Sequence, residues 1–356
     1  MESIIWLVQV YSEYYLIFFW CVLCGVVYCM KASKKTKYAI YGVAAYIPLA
    51  LFCGLRDASV GTDTVTYCEW YSRFENVSID GWLYRNFECG WVYLNKMLYW
   101  ISPDPQMLLI FTSLVTTFGM GLFFFKTSPN FYLSTVLFVG FYFYIEQFTT
   151  IRQNFALVIA LWGLRELWLG RKAYFVGLVL LAASFHVTSL IFLPLILIRN
   201  MSAMALVGSF IVIIMVALPI AVYGLASISE ILKYTPYYHY IGSKYDVVTP
   251  YGAGVIRIVF YTMCVLSGMV TWHGNNLHNT EEYKTVGIIG YEINILNRFN
   301  SYFSIFICIL LPYRLSLCSH RKRLVLAALL ILMSVVYYSR MLYVAEPSVL
   351  VYKSCF

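Results

Sequence analysis

The chain has 356 residues, of which 61% are hydrophobic and 12% charged, whereas soluble domains carry about 25% charged residues. Several continuous apolar runs reach the roughly 20 residues that a helix needs to cross hydrocarbon, without the alternation of a barrel strand. This composition excludes a soluble enzyme, a disordered chain and a disulfide scaffold. It predicts an all-α polytopic integral membrane protein with a single transmembrane domain, residues 1–356. The net charge of +8 reports first on topology, because short cytoplasmic loops retain Lys and Arg.

The first predicted span, about 5–30, ends at four lysines that place the next loop in the cytoplasm: Lys31, Lys34, Lys35 and Lys37. Span 38–55 then leads outside, so 56–104 is predicted to be a periplasmic loop. Within this loop, 88–102 is predicted to form an amphipathic helix in the membrane interface. Its apolar side is predicted to carry Trp91, Leu94, Leu98 and Ile101.

Spans 106–125, 131–149 and 153–169 follow. The run 173–198 is either one long span or two short helices that fold back at His186, and we favour the fold-back because it keeps Arg199 cytoplasmic. The later spans are predicted at 203–228, 255–272, 285–297, 299–317 and 324–343. A Tyr-rich periplasmic loop, 229–254, lies between the first two of these. In total the sequence predicts about 11–12 crossings.

Three arginines remain once the cytoplasmic charges are assigned. Arg56, Arg152 and Arg298 each lie at the outer end of a predicted span, at the same level as His186. A charge at the membrane boundary is costly unless it is paired or functional, and the planar guanidinium suits bidentate binding of phosphate. The cluster therefore predicts a pyrophosphate site at the outer surface. The alternative for each arginine is that its side chain reaches lipid headgroups or a carboxylate.

The first polar loop contains a turn followed by a helix start. Gly61 permits a tight turn, and Thr62, Asp63 and Thr64 present short polar side chains that suit the cap of a helix beginning at about Thr64. A capped helix alone accounts for part of this pattern. It does not account for Arg56 and Asp57 at the exit of the preceding span.

Four sequence blocks stand out along the chain. They are Leu55-Arg56-Asp57, Val60-Gly61-Thr62-Asp63-Thr64 with Tyr67, Arg152-Gln153-Asn154-Phe155-Ala156, and Ala183-Ser184-Phe185-His186-Val187-Thr188-Ser189-Leu190. Together they resemble the EpsG family of Wzy-type polymerases of bacterial O-antigens and exopolysaccharides, and the resemblance covers about residues 38–353. Weaker blocks are Arg298 to Pro312, with Tyr302-Phe303, and the tail Val351-Tyr352-Lys353, where the family pattern has Pro in place of Val351.

The resemblance implies a glycosyltransferase of GT-C-like architecture, with anomeric inversion, in the bacterial inner membrane. Its site would face the periplasm and move a growing glycan from undecaprenyl pyrophosphate to the non-reducing end of a new lipid-linked repeat unit. The implied partners are the lipid-linked donor and acceptor, the bilayer, and a chain-length regulator and flippase of the same pathway, without nucleic acid. The sequence has no metal-binding motif, and we expect no cofactor or metal.

The general base is left open among His186, Asp63 and Asp57. An unperturbed imidazole is a competent base at neutral pH, but His186 is equally able to hold the fold-back or to bind phosphate. Glu146 and Gln147 flank the turn before Arg152 and are weaker candidates for orienting it. The family blocks add candidates for substrate positioning: Thr62, Thr64, Tyr67, Gln153 and Tyr302.

Two alternative functions remain open, an O-antigen ligase-like glycosyltransferase and a flippase or exporter of lipid-linked oligosaccharide. A transporter is expected to place ionisable residues near the midplane, whereas the predicted cluster lies at one interface, which favours an enzyme. Loop 229–254 is dense in tyrosines, which suit stacking on sugars, or it covers the interface as a lid. Cys68 and Cys89 share one polar loop and are able to pair in an oxidising compartment.

Overall fold

The computed structural model describes residues 9–74, 87–198, 230, 233, 302, 304–344 and 351–356. The chain forms two compact units, one of Met1–Leu190 with Cys308–Phe356 and the other of Ile191–Ile307. Loop 229–254 and the spans predicted at 203–228, 255–272 and 285–297 lie outside the described residues, apart from the isolated residues 230 and 233.

The described residues form helices and loops, with one isolated antiparallel bridge between Arg56 and Ser354. In chain order the α-helices are α1 (Ser12–Leu23), α2 (Lys34–Gly54), α3 (Thr64–Tyr71), α4 (Cys89–Ile101), α5 (Gln106–Thr127), α6 (Phe131–Gly140), α7 (Phe143–Thr149), α8 (Ile151–Trp168), α9 (Lys172–Ala183), α10 (Leu195–Ile198), α11 (Ile307–Ser316) and α12 (His320–Val344). Short 3₁₀ segments cover Cys24–Cys29, Ser72–Phe74 and Val187–Phe192.

Three described helices are long and apolar enough to cross a membrane: α2, α5 and α12. The bent pair α6 and α7 makes a fourth if it is counted as one span. These helices agree with an all-α membrane protein. The predicted total of 11–12 crossings depends on residues outside the described ranges and stays a prediction.

The predicted span over 131–149 consists of two helices, α6 and α7, rather than one. The chain bends by 51° between α6 and α7, where Tyr142 has a φ of +73°. A residue in the left-handed region just past a helix end stops the helix, and glycine usually supplies it. Because a tyrosine adopts this conformation here, composition gave no signal of the break.

The fold-back segment is interrupted where the sequence indicated. Helix α9 ends at Ala183, and the amide of His186 donates to the carbonyl of Ala182 at 3.0 Å as the chain leaves the helix. The 3₁₀ segment Val187–Phe192 follows. The interruption at His186 is thus present, while the path beyond Ile198, which decides between a fold-back and a single crossing, lies outside the described residues.

Hydroxyl groups connect the helices of the larger unit. The Tyr144 hydroxyl donates to the carbonyl of Leu49 at 2.6 Å, Ser113 Oγ donates to Ala50 at 2.7 Å, and the Tyr338 hydroxyl donates to Tyr14 at 3.1 Å. In hydrocarbon a polar side chain must find its partner within the protein. Tyrosine, serine and threonine therefore fix helix register here as well as filling space.

Helix α4 is amphipathic, as predicted, and it packs on the starts of α5 and α8. Trp91, Leu94 and Leu98 are buried in an aromatic cluster with residues such as Leu108 and Phe155. Ile101 lies on the same side of the helix by its spacing from Leu94 and Leu98, but it is 61% exposed beside Trp100 at the end of the helix. The chain turns away at Ser102, which leaves the last turn without a helix to cover it.

The connecting loops gather at two opposite ends of the larger unit. At one end the Tyr38 hydroxyl donates to Pro129 at 3.1 Å, which joins the start of α2 to the start of α6. At the other end Gln106 Nε2 donates to the carbonyl of Gly54 at 2.6 Å, which joins the end of α2 to the start of α5. The predicted cytoplasmic and periplasmic loops therefore lie at separate ends of the bundle.

Candidate functional site

The carbonyl of Phe148 is the centre of a small hydrogen-bonded cluster at the predicted periplasmic end. Helix α7 ends one residue later, so no amide within this helix donates to the Phe148 carbonyl. Thr64 Oγ1 donates to it at 2.9 Å, and Arg56 Nη2 lies 3.4 Å away. Gly61 makes the approach possible: its φ is +107°, and a Cβ at this position would lie 2.2 Å from the Phe148 oxygen.

The guanidinium of Arg56 is enclosed by protein. The residue is 1% exposed, its Nε donates to the carbonyl of Val60 at 3.3 Å, and Nη1 donates to the carbonyl of Cys53. Its charge also faces the ring of Phe148 at 5.0 Å. In this conformation Arg56 holds the loop after α2 against α7, and a ligand would reach it only if these contacts opened.

The C-terminal tail pairs with the segment around Arg56. The amide of Asp57 donates to Lys353 at 2.8 Å and the amide of Cys355 donates to Leu55 at 2.9 Å, which is the pattern of a short antiparallel pair. The ring of Tyr352 stacks on Phe52 with centroids 4.0 Å apart. The tail thus supports this segment through backbone pairing and ring stacking.

Glu88 joins two of the residues that the sequence singled out. Its Oε2 accepts from Arg152 Nη1 at 2.6 Å, and its Oε1 lies 3.4 Å from His186 Nδ1. The same Oε1 accepts from the amide of Val187 at 3.0 Å. The 3.4 Å contact is an electrostatic approach rather than a well-formed hydrogen bond. One carboxylate therefore holds the Arg152 and His186 blocks together.

A close backbone approach brings Glu88 to His186. The amide of Trp91 donates to the carbonyl of Ser184 at 3.3 Å. A Cβ on Gly90 would lie 2.3 Å from Ser184 Oγ, so only glycine allows the first turn of α4 to pack on the end of α9. Because Glu88 is the residue before α4, this contact fixes its carboxylate at the 186–187 backbone.

The surroundings of Glu88 keep it ionised. Burial raises the pKa of the carboxyl, but the approach of His186, the charge of Arg152 and the Val187 amide outweigh it and lower the pKa to about 2. Side-chain exposure is 18% for Arg152, 19% for Glu88 and 12% for His186. The three charged or ionisable groups therefore stand partly open to solvent while their mutual geometry is fixed.

Aromatic rings hold the Arg152 guanidinium in place. Arg152 Nε donates to the Tyr67 hydroxyl at 2.8 Å, and the guanidinium lies 4.7 Å from the centroid of the Phe87 ring. The hydrogen bonds to Tyr67 and Glu88 engage Nε and one terminal nitrogen. An arginine has five N–H donors, so a guanidinium positioned in this way is suited to present its remaining edge to an anion.

A family model described as the EpsG family matches residues 39–354, nearly the whole chain. The chain belongs to the EpsG family. This is the family of Wzy-type polymerases, and membership suggests a polysaccharide polymerase. The resemblance read from the sequence blocks is thereby confirmed. No curated protein and no solved structure matched the chain.

The remaining candidates of this EpsG-family chain occupy different environments. Asp57 accepts from the amide and hydroxyl of Ser59 at 2.9 and 2.6 Å, and these bonds lower its pKa, which weakens it as a base. Thr62 and Asp63 are exposed on the turn. Helix α3 begins at Thr64 as predicted, but the Asp63 side chain makes no capping hydrogen bond, because Asp63 itself already has a helical backbone.

Two of the last three candidates, Gln153 and Tyr302, are among the described residues. Gln153 is buried in α8, at 5% exposure. Tyr302 belongs to the smaller unit, where its ring packs against Phe192 with centroids 5.5 Å apart. Arg298 lies outside the described residues, so its role in the EpsG-family site stays a prediction.

The sequence reading missed Glu88 and the Phe148 carbonyl. Glu88 belongs to none of the family blocks, and its partners are 64 and 98 residues further along the chain. A signal was nevertheless present: an acidic residue stands directly before the Gly-containing start of an amphipathic helix. A backbone carbonyl gives no sequence signal at all.

Cys68 and Cys89, which the sequence analysis considered as a disulfide pair, are both free thiols in the structure.

Proposed function

We propose that this protein is a polysaccharide polymerase that acts on undecaprenyl-pyrophosphate-linked repeat units at the outer face of the bacterial inner membrane. It would transfer the growing glycan from one lipid carrier to the non-reducing sugar of a new lipid-linked unit. Family membership supports the polymerase activity. The lipid carrier, the membrane and its side are our extension, supported by the helices that can cross a membrane and by the predicted sidedness of the loops.

The observation that carries the proposal is that Arg152, which also donates to Tyr67, and His186 both meet the carboxylate of Glu88. Arg152, Tyr67 and His186 come from three family blocks and meet at the end of the bundle away from the lysine-rich loops. A guanidinium beside an imidazole is the pair that this transfer requires. One group stabilises a diphosphate leaving group and the other accepts a proton.

In the proposed reaction, the acceptor hydroxyl attacks the anomeric carbon of the glycan. The bond from that carbon to the acceptor oxygen forms as the bond to the diphosphate oxygen breaks, with inversion at the anomeric centre. The hydroxyl proton passes to Nε2 of His186, and Glu88 at Nδ1 stabilises the imidazolium that results. The edge of Arg152 not used by Tyr67 and Glu88 binds the diphosphate as its charge grows.

Arg56 is proposed to act differently from Arg152. Its donors are occupied by carbonyls, so we assign it to shaping the loop that carries Asp57 and Thr64 rather than to the first contact with diphosphate. Asp57 and Asp63 are proposed as contacts for the acceptor sugar, because short carboxylates beside a loop suit hydroxyl groups. We also propose that the complete helix bundle has a GT-C-like architecture.

The test uses two single variants, Arg152→Ala and Glu88→Gln, each expressed in cells that lack the native copy. Glycan chain length is measured on gels, and protein level is measured by immunoblot. Removing a donor to the developing charge typically costs about 100- to 1000-fold in rate, so Arg152→Ala is expected to abolish long chains while single capped repeat units persist. Glu88→Gln is expected to shorten the chains, because polymerase activity should fall by roughly 10-fold or more relative to the wild type.

Arg171→Ala is the matched control. Arg171 forms an ion pair of 2.9 Å with Glu166 at the opposite end of α8, so its loss removes a similar contact far from the site and should leave chain length unchanged. Unchanged chain length in Arg152→Ala would contradict the proposal. If single capped units disappeared together with long chains, the activity would be that of a ligase or flippase instead.

A further inference from the structure

A cavity lies at the end of the larger unit opposite Glu88. Its volume is about 560 Å³. It lies between the 3₁₀ segment Cys24–Cys29, the starts of α2, α6 and α12, and the end of α11. The inner wall is apolar, with Leu133, Leu315, Ala327 and Ile331. Nothing in the proposed transfer reaction uses this cavity.

Three cationic side chains line the same cavity: Lys34, Lys37 and Arg323. Within the described part of the chain, none of them forms an ion pair with a carboxylate. Lys37 donates to the carbonyl of Tyr28 at 2.8 Å, and Arg323 donates to the carbonyls of Ser316 and Cys318 at 3.3 and 3.1 Å. Their positive charge at this end is therefore not neutralised by the protein residues described.

The helix starts add to the positive potential. The starts of α2, α6 and α12 all contribute lining residues: Lys34, Leu133 with the N-cap residue Asn130, and Arg323. The positive end of the helix dipole attracts anions. In addition, the hydroxyl of Tyr28 on the cavity wall is buried and has no hydrogen-bond partner among the described residues.

We propose that this cavity binds the phosphate headgroup of an acidic phospholipid from the leaflet at this end, the predicted cytoplasmic one. The three cations and the Tyr28 hydroxyl suit the phosphate oxygens, and the apolar inner wall suits the glycerol and the first carbons of the acyl chains. A free phosphate ion would match the cations but would leave the apolar wall without a partner. Basic pockets between spanning helices recognise acidic headgroups in this manner.

The test reconstitutes the full-length protein in phosphatidylcholine nanodiscs with stepped fractions of phosphatidylglycerol and counts bound lipids by native mass spectrometry. The variant Lys37→Gln with Arg323→Gln removes two lining charges. Each juxtamembrane cation contributes about fivefold in affinity, so we expect phosphatidylglycerol binding to fall about 25-fold, with no change for phosphatidylcholine.

The matched control, Lys35→Gln with Lys322→Gln, removes two neighbouring charges that do not line the cavity and should retain binding. A second variant, Ala327→Phe, fills the apolar wall without changing charge and should also weaken binding. Size-exclusion profiles identify any variant that fails to fold. Equal loss in both charge variants, full binding in Ala327→Phe, or displacement of the lipid by equimolar inorganic phosphate would each overturn the proposal.

Discussion

At the scale of single residues, two arginines with the same predicted role have different surroundings. Arg56 follows α2 directly, where the ends of α2 and α7 leave carbonyls without partners, and its donors satisfy them. Arg152 lies in the first turn of α8 beside a carboxylate and a tyrosine hydroxyl, with part of its side chain accessible. Position relative to the helix ends, rather than residue type, decides which arginine is available to an anion.

Glu88→Gln should change how stability depends on pH. The folded-state pKa of Glu88, about 2, lies below the ordinary value of about 4.3, so its contribution to stability is complete above about pH 4.5 and is lost as the pH falls towards 2. With allowance for partial exposure, we expect the variant to be less stable by about 1–2 kcal/mol at pH 7, and the difference to shrink by pH 3.

Thermal unfolding of the detergent-solubilised protein at several pH values measures this difference. Glu69→Gln, which removes an exposed carboxylate on α3, is the control and should follow the wild type at every pH. A stability difference for Glu88→Gln that stayed constant from pH 7 to pH 3 would show that Glu88 is not held ionised by His186 and Arg152.

At the scale of elements, the site depends on turns that require unusual backbone. The Gly61 turn lets α3 start against the end of α7, and the left-handed Tyr142 redirects α7 so that its last carbonyls face α3. A positive φ at a non-glycine residue costs about 1–3 kcal/mol, which surrounding packing must offset. The conformation of Tyr142 thus belongs to the structural basis of the site.

Gly61→Ala is expected to destabilise the protein by about 1–3 kcal/mol and to shorten the glycan, because its Cβ would collide with the Phe148 carbonyl. Thermal unfolding and glycan length are the measurements. Gly177→Ala is the matched control, since a Cβ there meets no atom within 4 Å in α9; it should be neutral or slightly stabilising. Wild-type behaviour of Gly61→Ala would refute the close approach of α3 and α7.

Tyr352→Ala tests whether the tail supports the Arg56 segment. The change removes the stack on Phe52 and a hydrogen bond of 3.1 Å to the carbonyl of Phe52, together worth about 1–2 kcal/mol. We expect shorter glycan chains at normal protein level and a modest loss of thermal stability. Phe356→Ala, at a residue 95% exposed, should have no effect. Full activity of Tyr352→Ala would mean that the tail is dispensable.

At the scale of the whole molecule, the larger unit has two chemically distinct ends. One end carries the ionic cluster of Glu88, Arg152 and His186. The other carries a cavity lined by cations without carboxylate partners among the described residues. Long apolar helices connect the two ends, so a membrane would separate them, and each end would meet a different leaflet and compartment.

Cysteine labelling tests this orientation. In a chain whose exposed cysteines are replaced by serine, Glu69→Cys at the Glu88 end should react with an impermeant maleimide on intact spheroplasts. Lys35→Cys, at the opposite end, should react only after permeabilisation, because the positive-inside rule places it in the cytoplasm. The reverse pattern would place the proposed site on the cytoplasmic side and contradict the proposed function.

Spacing and periodicity predicted much of the architecture. The start of α3 at Thr64, the buried face of α4 and the interruption at His186 follow from local signals, because turn residues and apolar periodicity act within a few positions. The break at Tyr142 did not follow, since an aromatic residue in a left-handed conformation has no local signature. The Glu88 cluster did not follow either, because its members meet only when α4 packs on the end of α9.

By itself, the sequence determined that this is an all-α membrane protein of the EpsG family, and it identified Arg152 and His186 as residues of interest. An apolar composition indicates that a helix lies in the membrane, and the placement of Lys and Arg predicts the direction in which it crosses the bilayer. The tertiary structure decided which groups touch: Arg56 is enclosed by carbonyls, while Glu88 binds Arg152 and approaches His186. The contacts of Glu88 depend on long-range packing, because Gly90 allows the backbone of α4 to meet the end of α9. No local sequence pattern encodes a contact between segments so far apart in the chain.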